Sequence, residues 1–247
     1  MWYGGGLKKD FKNASELQKK CSLSFSKLLD LIANKFKNMR IRFTTSNPQD
    51  MSEDVLNTMA KHKNICNHIH LPVQSGSDKV LKLMNRKHTV NDYKKLIDKI
   101  KEILPGCGIS HDMITGFPNE TNEDHRLTIE LMKYVKYDFG FMFKYSERPG
   151  TLAYKKLSDN VPEKIKQKRL EEIIHLQQEH SFINLKKFIG KNCEVLIEKE
   201  SKKSASHWAG RNDQNIMVVF PKKNHKPGDL VNVKINNNTS TTLIGTS

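Results

Sequence analysis

Short apolar segments alternate with amphipathic helical ones between residues 25 and 187, and this alternation narrows the choice of fold more than any other feature. Four segments read as strands: 40–45 (RIRFTT), 66–73 (CNHIHLPV), 107–115 and 139–145 (FGFMFKY). Helical spacing separates them. Phe25, Leu28, Leu29, Ile32, Ala33 and Phe36 share one face, with Ser24 placed as a cap. Ser52 precedes a helix carrying Val55, Leu56, Met59 and Ala60, and a short helix over 78–85 carries Val80, Leu81 and Met84. Thr89 with Asp92, and Thr121 with Asp124, have the spacing of capping boxes, so each predicts a helix start. The first of these helices should stop at Pro105-Gly106 and the second near 136. Pro162 suits the first turn of a long helix reaching about 187. Strands separated by helices of this length build βα units around a parallel sheet, so the class is α/β. Four strands are too few for a closed barrel of about eight.

After Gly190 the texture changes. Segments 192–198, 215–220, 229–235 and 241–244 are short and β-like, punctuated by Asp213-Gln214, Pro221 and Pro227-Gly228. They predict a small all-β module over 188–247, behind an α/β unit over 25–187. Residues 1–24 are polar and lysine-rich without a period and read as a loop or insert.

Lys and Arg number 42 and Asp and Glu 27, for a net charge of +15. That surplus permits an RNA partner, since phosphate neutralisation drives sequence-independent affinity. Yet 35 of the 42 are lysine, whereas arginine is the usual bidentate phosphate ligand. A merely solvated surface therefore stays an equal reading. No apolar run approaches the roughly 18 residues of a membrane helix, which excludes a helical membrane protein, and no signal-peptide pattern is visible. The cysteines, Cys21, Cys66, Cys107 and Cys193, are separated by 45, 41 and 86 residues. They form neither a disulfide framework nor a C-x-x-C pair, and a reducing cytoplasm is the simplest setting.

Polar groups gather at the strand ends, where parallel α/β folds bind ligands. Cys66, His68 and His70 alternate on one strand face; zinc ligation and a hydrogen-bonded interior polar face are the competing readings, and about 6.6–7 Å between alternate residues disfavours a shared ion. Gln74 and Ser75 offer an amide and a hydroxyl, and Gly76 lets backbone approach closely. Asp112 is a charge inside an apolar strand and needs a partner. Gly116 suggests tight backbone near a ligand, with Glu120 closing the same segment. Arg148 in Tyr145-Ser146-Glu147-Arg148-Pro149-Gly150 could hold a carboxylate or phosphate, or be an ordinary turn residue. Trp208 and Arg211 in His207-Trp208-Ala209-Gly210-Arg211-Asn212 suit base stacking from a loop; Trp208 in the module's core is the alternative.

Taken in order, RFTTSNP (42–48), HLPVQSGSDKVLKLMNRKHT (70–89), DMITGFPNET (112–121) and YSERPGT (145–151) resemble the radical S-adenosylmethionine methylthiotransferases, most of all the MiaB type that acts on N6-dimethylallyladenosine of tRNA. The terminal module resembles a TRAM domain, an OB-like RNA-binding barrel. The resemblance covers roughly 40–247, and Trp2-Tyr3-Gly4 looks like the loop just upstream. It implies a partial radical SAM (β/α) barrel, these strands being its third to sixth, followed by the TRAM barrel. It implies S-adenosylmethionine as cofactor near Ser46, Gln74, Ser75, Asp112, Gly116 and Glu120, and tRNA as partner near Tyr145, Ser146, Arg148, Trp208 and Arg211. It implies addition of a methylthio group to C2 of the modified adenosine beside the anticodon. The departure is large. Such proteins hold one [4Fe–4S] cluster on a C-x-x-x-C-x-x-C motif and a second on an N-terminal domain, and this sequence has neither ligand set, so no metal ligand is assigned. The expectation is a C-terminal part of such an enzyme, inactive alone, or one completed by a separate chain that carries the cysteines. The rival expectation is a non-catalytic RNA-binding remnant. Either way, a barrel cut after two strands should expose an apolar edge and be poorly soluble.

Overall fold

The computed structural model describes residues 2–3, 23–44 and 47–247. Strand β1 (Trp2–Tyr3) pairs antiparallel with β2 (Leu23–Ser24), which leads into helix α1 (Phe25–Lys35). Ser24 caps α1 by accepting from the Lys27 amide. A 3-10 turn (Pro48–Asp50) and α2 (Glu53–Lys61) follow, then strand β3 (His68–His70), α3 (Asp78–Leu83) and α4 (Val90–Ile103). Next come β4 (Gly108–Thr115), α5 (Asn122–Val135), β5 (Phe139–Lys144), the short α6 (Leu152–Lys156) and the 24-residue α7 (Glu163–Lys186). Both expected capping boxes form, at Thr89/Asp92 and Thr121/Asp124. Pro162 stands one position earlier than expected, as the N-cap of α7.

Strands β3, β4 and β5 make a parallel sheet in that order. Its outer face is apolar and covered by helices: Ile69, Leu71, Val73 and Met113 pack with Ile97, Ile100, Leu131, Met132 and the buried rings of Tyr93 and Tyr137. The fourth expected strand, 40–45, reduces to one parallel bridge, Ile41 to Ile65, through residue 44; Thr45 lies outside the described residues. The reason lies across the domain junction. Arg40 donates to the carbonyls of Arg211 (2.7 Å) and Glu194 (2.8 Å), and Arg42 to that of Asn212 (3.0 Å). Those long-range bonds hold the segment instead of a ladder.

The C-terminal module is a closed five-stranded barrel: β6 (Asn192–Ser201), β7 (Ser204–Arg211), β8 (Met217–Pro221), β9 (Leu230–Asn238) and β10 (Thr242–Thr246). Val195, Val218, Phe220, Val233, Ile235 and Leu243 fill it, and Leu185 of α7 joins that core. The sequence pattern marks four of these strands and suggests a loop at 207–212, where β7 runs over Ser204–Arg211 instead. That segment is a strand because β6 and β8 pair with it on both sides; tertiary pairing overrides the weak β-propensity of Ser-Ala-Ser-His.

Candidate functional site

In-register pairing puts His70 beside Ser110, Ser110 beside Phe139, Asp112 beside Phe141, and Ile114 beside Phe143. Paired residues share a face, so these side chains line the inner face of the sheet, opposite the helices. The Ser110 hydroxyl lies between His68 Nε2 (3.0 Å) and His70 Nδ1 (2.9 Å). His70 Nε2 in turn faces Asp112 Oδ1 at 3.4 Å. The polar line His68–Ser110–His70–Asp112 thus runs along the inner face. The His68 ring stacks on Phe139 with centroids 5.2 Å apart. Burial, reinforced by the charges of His70, Arg42 and Arg211, pushes the His68 imidazole down to about 4, so it is neutral at physiological pH. Beyond this line Phe141 and Phe143 are 53% and 54% exposed. A face of this kind can stack a heterocycle and hydrogen-bond its edge. Arg86 is half-buried within the field of Asp112, a neighbour that the sequence gave no reason to single out.

The strand tips surround this face. Gln74, bridged to Met113 beyond the end of β3, has a left-handed conformation (φ 77°) that β-sheet geometry alone would not select. Its amide donates to the Asp112 carbonyl (2.9 Å), and its own carbonyl accepts from Ile114 (3.0 Å). Ser75 is buried and bonded inward: its Oγ accepts from the Ser77 amide and lies 3.4 Å from Thr128 Oγ1. A Cβ on Gly76 would meet the Leu127 carbonyl oxygen at 2.4 Å, and one on Gly116 (φ 72°) would meet Lys166 Cγ at 2.3 Å. At both glycines the chain is therefore packed closely, against α5 at Gly76 and against the Lys166 side chain of α7 at Gly116.

Glu120 is likewise engaged within the protein. Its two carboxylate oxygens accept from the Gly116 amide (both 3.1 Å), and Oε1 accepts from Arg169 Nη1 at 2.8 Å. Both side chains are nearly inaccessible, at 3% and 8% exposed. Burial raises the Glu120 carboxyl above its ordinary range, against the Gly116 amide and Arg169. The pair locks the turn after β4. Tyr145 packs edge-on against Phe117 (4.9 Å) with Lys166 Nζ 5.4 Å from its ring centre. Ser146 and Arg148 are exposed in the following turn. Ser46 lies outside the described residues.

Of the two readings of Trp208, the structure has the one that puts it in the barrel core. Trp208 sits on β7 with its ring in the barrel core, and Lys222 Nζ lies 4.4 Å from the ring centre. Arg211 ends β7 at the domain junction, donating to the Asn215 carbonyl (2.7 Å) and standing 3.5 Å from Glu198, which also faces Arg42 at 3.6 Å. Neither is on a free loop.

The three described cysteines do not fit an iron–sulfur cluster. Cys66 Sγ accepts from Arg42 Nε at 3.4 Å, Cys107 donates to the Gly108 carbonyl, and Cys193 lies in the small barrel's core. Burial raises all three thiols, which disfavours the thiolate a cluster requires. Cys21 lies outside the described residues. Among the described residues no group of three or more His, Cys, Asp or Glu is arranged to hold a metal ion.

Half of a parallel βα barrel, open on its inner face and joined to a five-stranded β-barrel, is an architecture with known counterparts. The sequence pattern of the Radical SAM superfamily matches residues 11–132, and that of the TRAM domain matches residues 186–246. The solved coproporphyrinogen III oxidase of Escherichia coli, a radical SAM enzyme, superposes with a TM-score of 0.52 over 82% of this chain and 52% of its own, at 16% identity, which supports the fold alone. The class is therefore a radical SAM domain followed by a TRAM domain. Within it, the curated tRNA-2-methylthio-N(6)-dimethylallyladenosine synthases of Christiangramia forsetii and Flavobacterium psychrophilum are 62% and 60% identical over 245 residues, 99% of this chain. That of Bacteroides thetaiotaomicron is 50% identical over 223 residues. Over the stretch it shares with them, the chain is similar to these synthases. It spans about half the length of these relatives, 51% of the first two and 49% of the third. No described helix is long and apolar enough to cross a membrane.

Proposed function

We propose that these residues form the substrate-facing half of a tRNA methylthiotransferase, one that adds a methylthio group to C2 of N6-dimethylallyladenosine next to the anticodon. The supporting observation is the open inner face: a line of hydrogen-bonded imidazole, hydroxyl and carboxylate groups, bordered by two half-exposed phenylalanines, on a chain 62% identical to such a synthase. On this reading Phe141 and Phe143 stack the purine, and His70 and Asp112 meet its polar edge. S-adenosylmethionine meets the same face near Asp112 and Gln74. Ser75, Gly116 and Glu120 act by fixing the tips of β3 and β4, since their polar groups are bonded within the protein. Tyr145, Ser146 and Arg148 border the substrate's entry. The redox chemistry belongs to iron–sulfur clusters that the three described cysteines do not hold, whether their ligands stand on the same polypeptide or on another.

Fluorescence anisotropy tests this. The chain should bind tRNA carrying dimethylallyladenosine more tightly than the same tRNA without that modification. Phe141→Ala should weaken binding by about 1–3 kcal/mol, the usual worth of one base–aromatic stack. Equal affinity for both tRNAs, unchanged by Phe141→Ala, refutes the proposed face. A second reading, an RNA-binding protein without catalysis, draws on the missing cluster ligands. Tight tRNA binding with no heat of S-adenosylmethionine binding in calorimetry would favour it.

A further inference from the structure

The domain junction carries a feature that the methylthiotransferase reading does not use. Two adjoining cavities, of about 450 and 670 Å3, lie where the small barrel meets the first residues of β3 and β4. Phe188, Lys191 and Gln214 line both, so they form one groove. Six lysines border it: Lys37, Lys63, Lys101, Lys136, Lys187 and Lys191. All six are exposed, and none is salt-bridged among the described residues. The groove's acids are all engaged. Asp138 accepts from the Ile109 amide (2.8 Å), Glu194 pairs with Arg40 (3.0 Å), and Asp213 accepts from the Asn67 amide (3.2 Å). The walls are also fixed relative to each other, because Arg40, Arg42 and Asp213 tie the two domains together. Lys187 bonds Asn184 Oδ1 (2.8 Å) and Lys101 the Val135 carbonyl (3.3 Å), but no groove lysine is in an ion pair among the described residues; a rigid trough of such cations suits a polyanion, and its length suits a chain rather than a single phosphate.

The groove lies at the starting ends of the strands, and the proposed base site lies further along the inner face, at Asp112, Phe141 and Phe143. Asp112 stands four residues beyond Gly108, and Ile114, the partner of Phe143, six, so the two places are about 13–20 Å apart at roughly 3.3 Å per residue. Only an extended ligand reaches both. We propose that the junction groove is a second RNA-contact surface, gripping the phosphate backbone of the tRNA about 13–20 Å along the strands from the base being modified. This rests on the tRNA reading above and adds where the remote part of the molecule is held. Trp208 and Arg211 being occupied within the protein leaves this contact to lysines, in keeping with their dominance of the net charge.

The test compares two charge-matched triple variants of the full chain. Lys136→Glu/Lys187→Glu/Lys191→Glu reverses the groove. Lys202→Glu/Lys203→Glu/Lys226→Glu reverses exposed lysines at the other end of the small barrel. The groove variant should bind tRNA about ten-fold or more weakly at low salt, with the slope of log affinity against log salt smaller by about three, one per lost phosphate contact. The control should change affinity only about two-fold. Equal losses in both variants would reduce the groove to net charge and overturn the proposal. Tight binding by the wild type with no loss in the groove variant removes the groove alone and leaves the tRNA reading standing; no binding by the wild type removes both. Lysine acetylation followed by mass spectrometry needs no variant: tRNA should protect Lys136, Lys187 and Lys191. Their full reactivity in the complex contradicts the proposal. So does protection by polyglutamate equal to that by tRNA, which would assign the groove to an acidic protein segment.

Discussion

Replacing Arg169 with alanine should cost roughly 3–5 kcal/mol of stability, the usual result of stranding one member of a buried ion pair. The guanidinium bonds the Glu120 carboxylate, the Glu120 carbonyl (3.2 Å) and Asn122 Oδ1 (2.9 Å), so one substitution frees three acceptors, the charged one buried. The pH dependence follows from the raised Glu120 carboxyl. A carboxyl with a folded pKa above its unfolded value favours the fold in its protonated form. Its penalty appears as pH rises from the unfolded value through the folded one and persists above. Removing Arg169 raises the folded value further. Urea denaturation should therefore show the smallest deficit for the variant in acid and the largest at neutral pH. Glu120→Gln, which removes the charge, should be milder than Arg169→Ala at neutral pH. A deficit independent of pH would contradict the assigned roles.

Trp208→Ala should destabilise the small barrel by roughly 3–5 kcal/mol, the range for deleting a large aromatic from a core. The indole packs in the core with Val218, Phe220 and Val233, under the Lys222 ammonium. An RNA-stacking role on an exposed loop makes the opposite prediction: binding lost, stability kept. Hydrogen exchange separates them, since loss of the core should accelerate exchange of the amides of β6, β7 and β8 while the parallel sheet stays protected. An Ala variant as protected as the wild type but deficient in RNA binding would restore the loop reading.

Local patterns made the larger part of the fold readable. Thr89/Asp92 and Thr121/Asp124 announce helices by chemistry confined to four residues, and both boxes form. The alternation in 66–73 and 107–115 marks strands because one face meets helices and the other does not. What could not be read is whatever depends on distant partners. Strand β7 exists because two neighbours pair with it. Segment 40–45 looks like a strand, but Arg40 and Arg42 reach partners 154 to 171 residues away. At the site, Asp112 stood out as a charge in an apolar strand, and its partner His70 lay in an alternation already visible. Gly76 and Gly116 stand where the chain is packed closely, but sequence cannot tell a ligand from a helix as the close neighbour. Arg211 has the chemistry of an RNA contact and is occupied at the junction instead.

The central claim is that this chain carries the substrate-facing surface but not the cluster ligands. Anaerobic reconstitution of the purified chain with iron and sulfide tests it, followed by iron quantification and absorbance at roughly 400 nm, where such clusters absorb. The account predicts no stoichiometric cluster on this chain alone, with tRNA binding intact in the same preparation. One [4Fe–4S] cluster per chain, lost on substitution of Cys66 or Cys107, would contradict it.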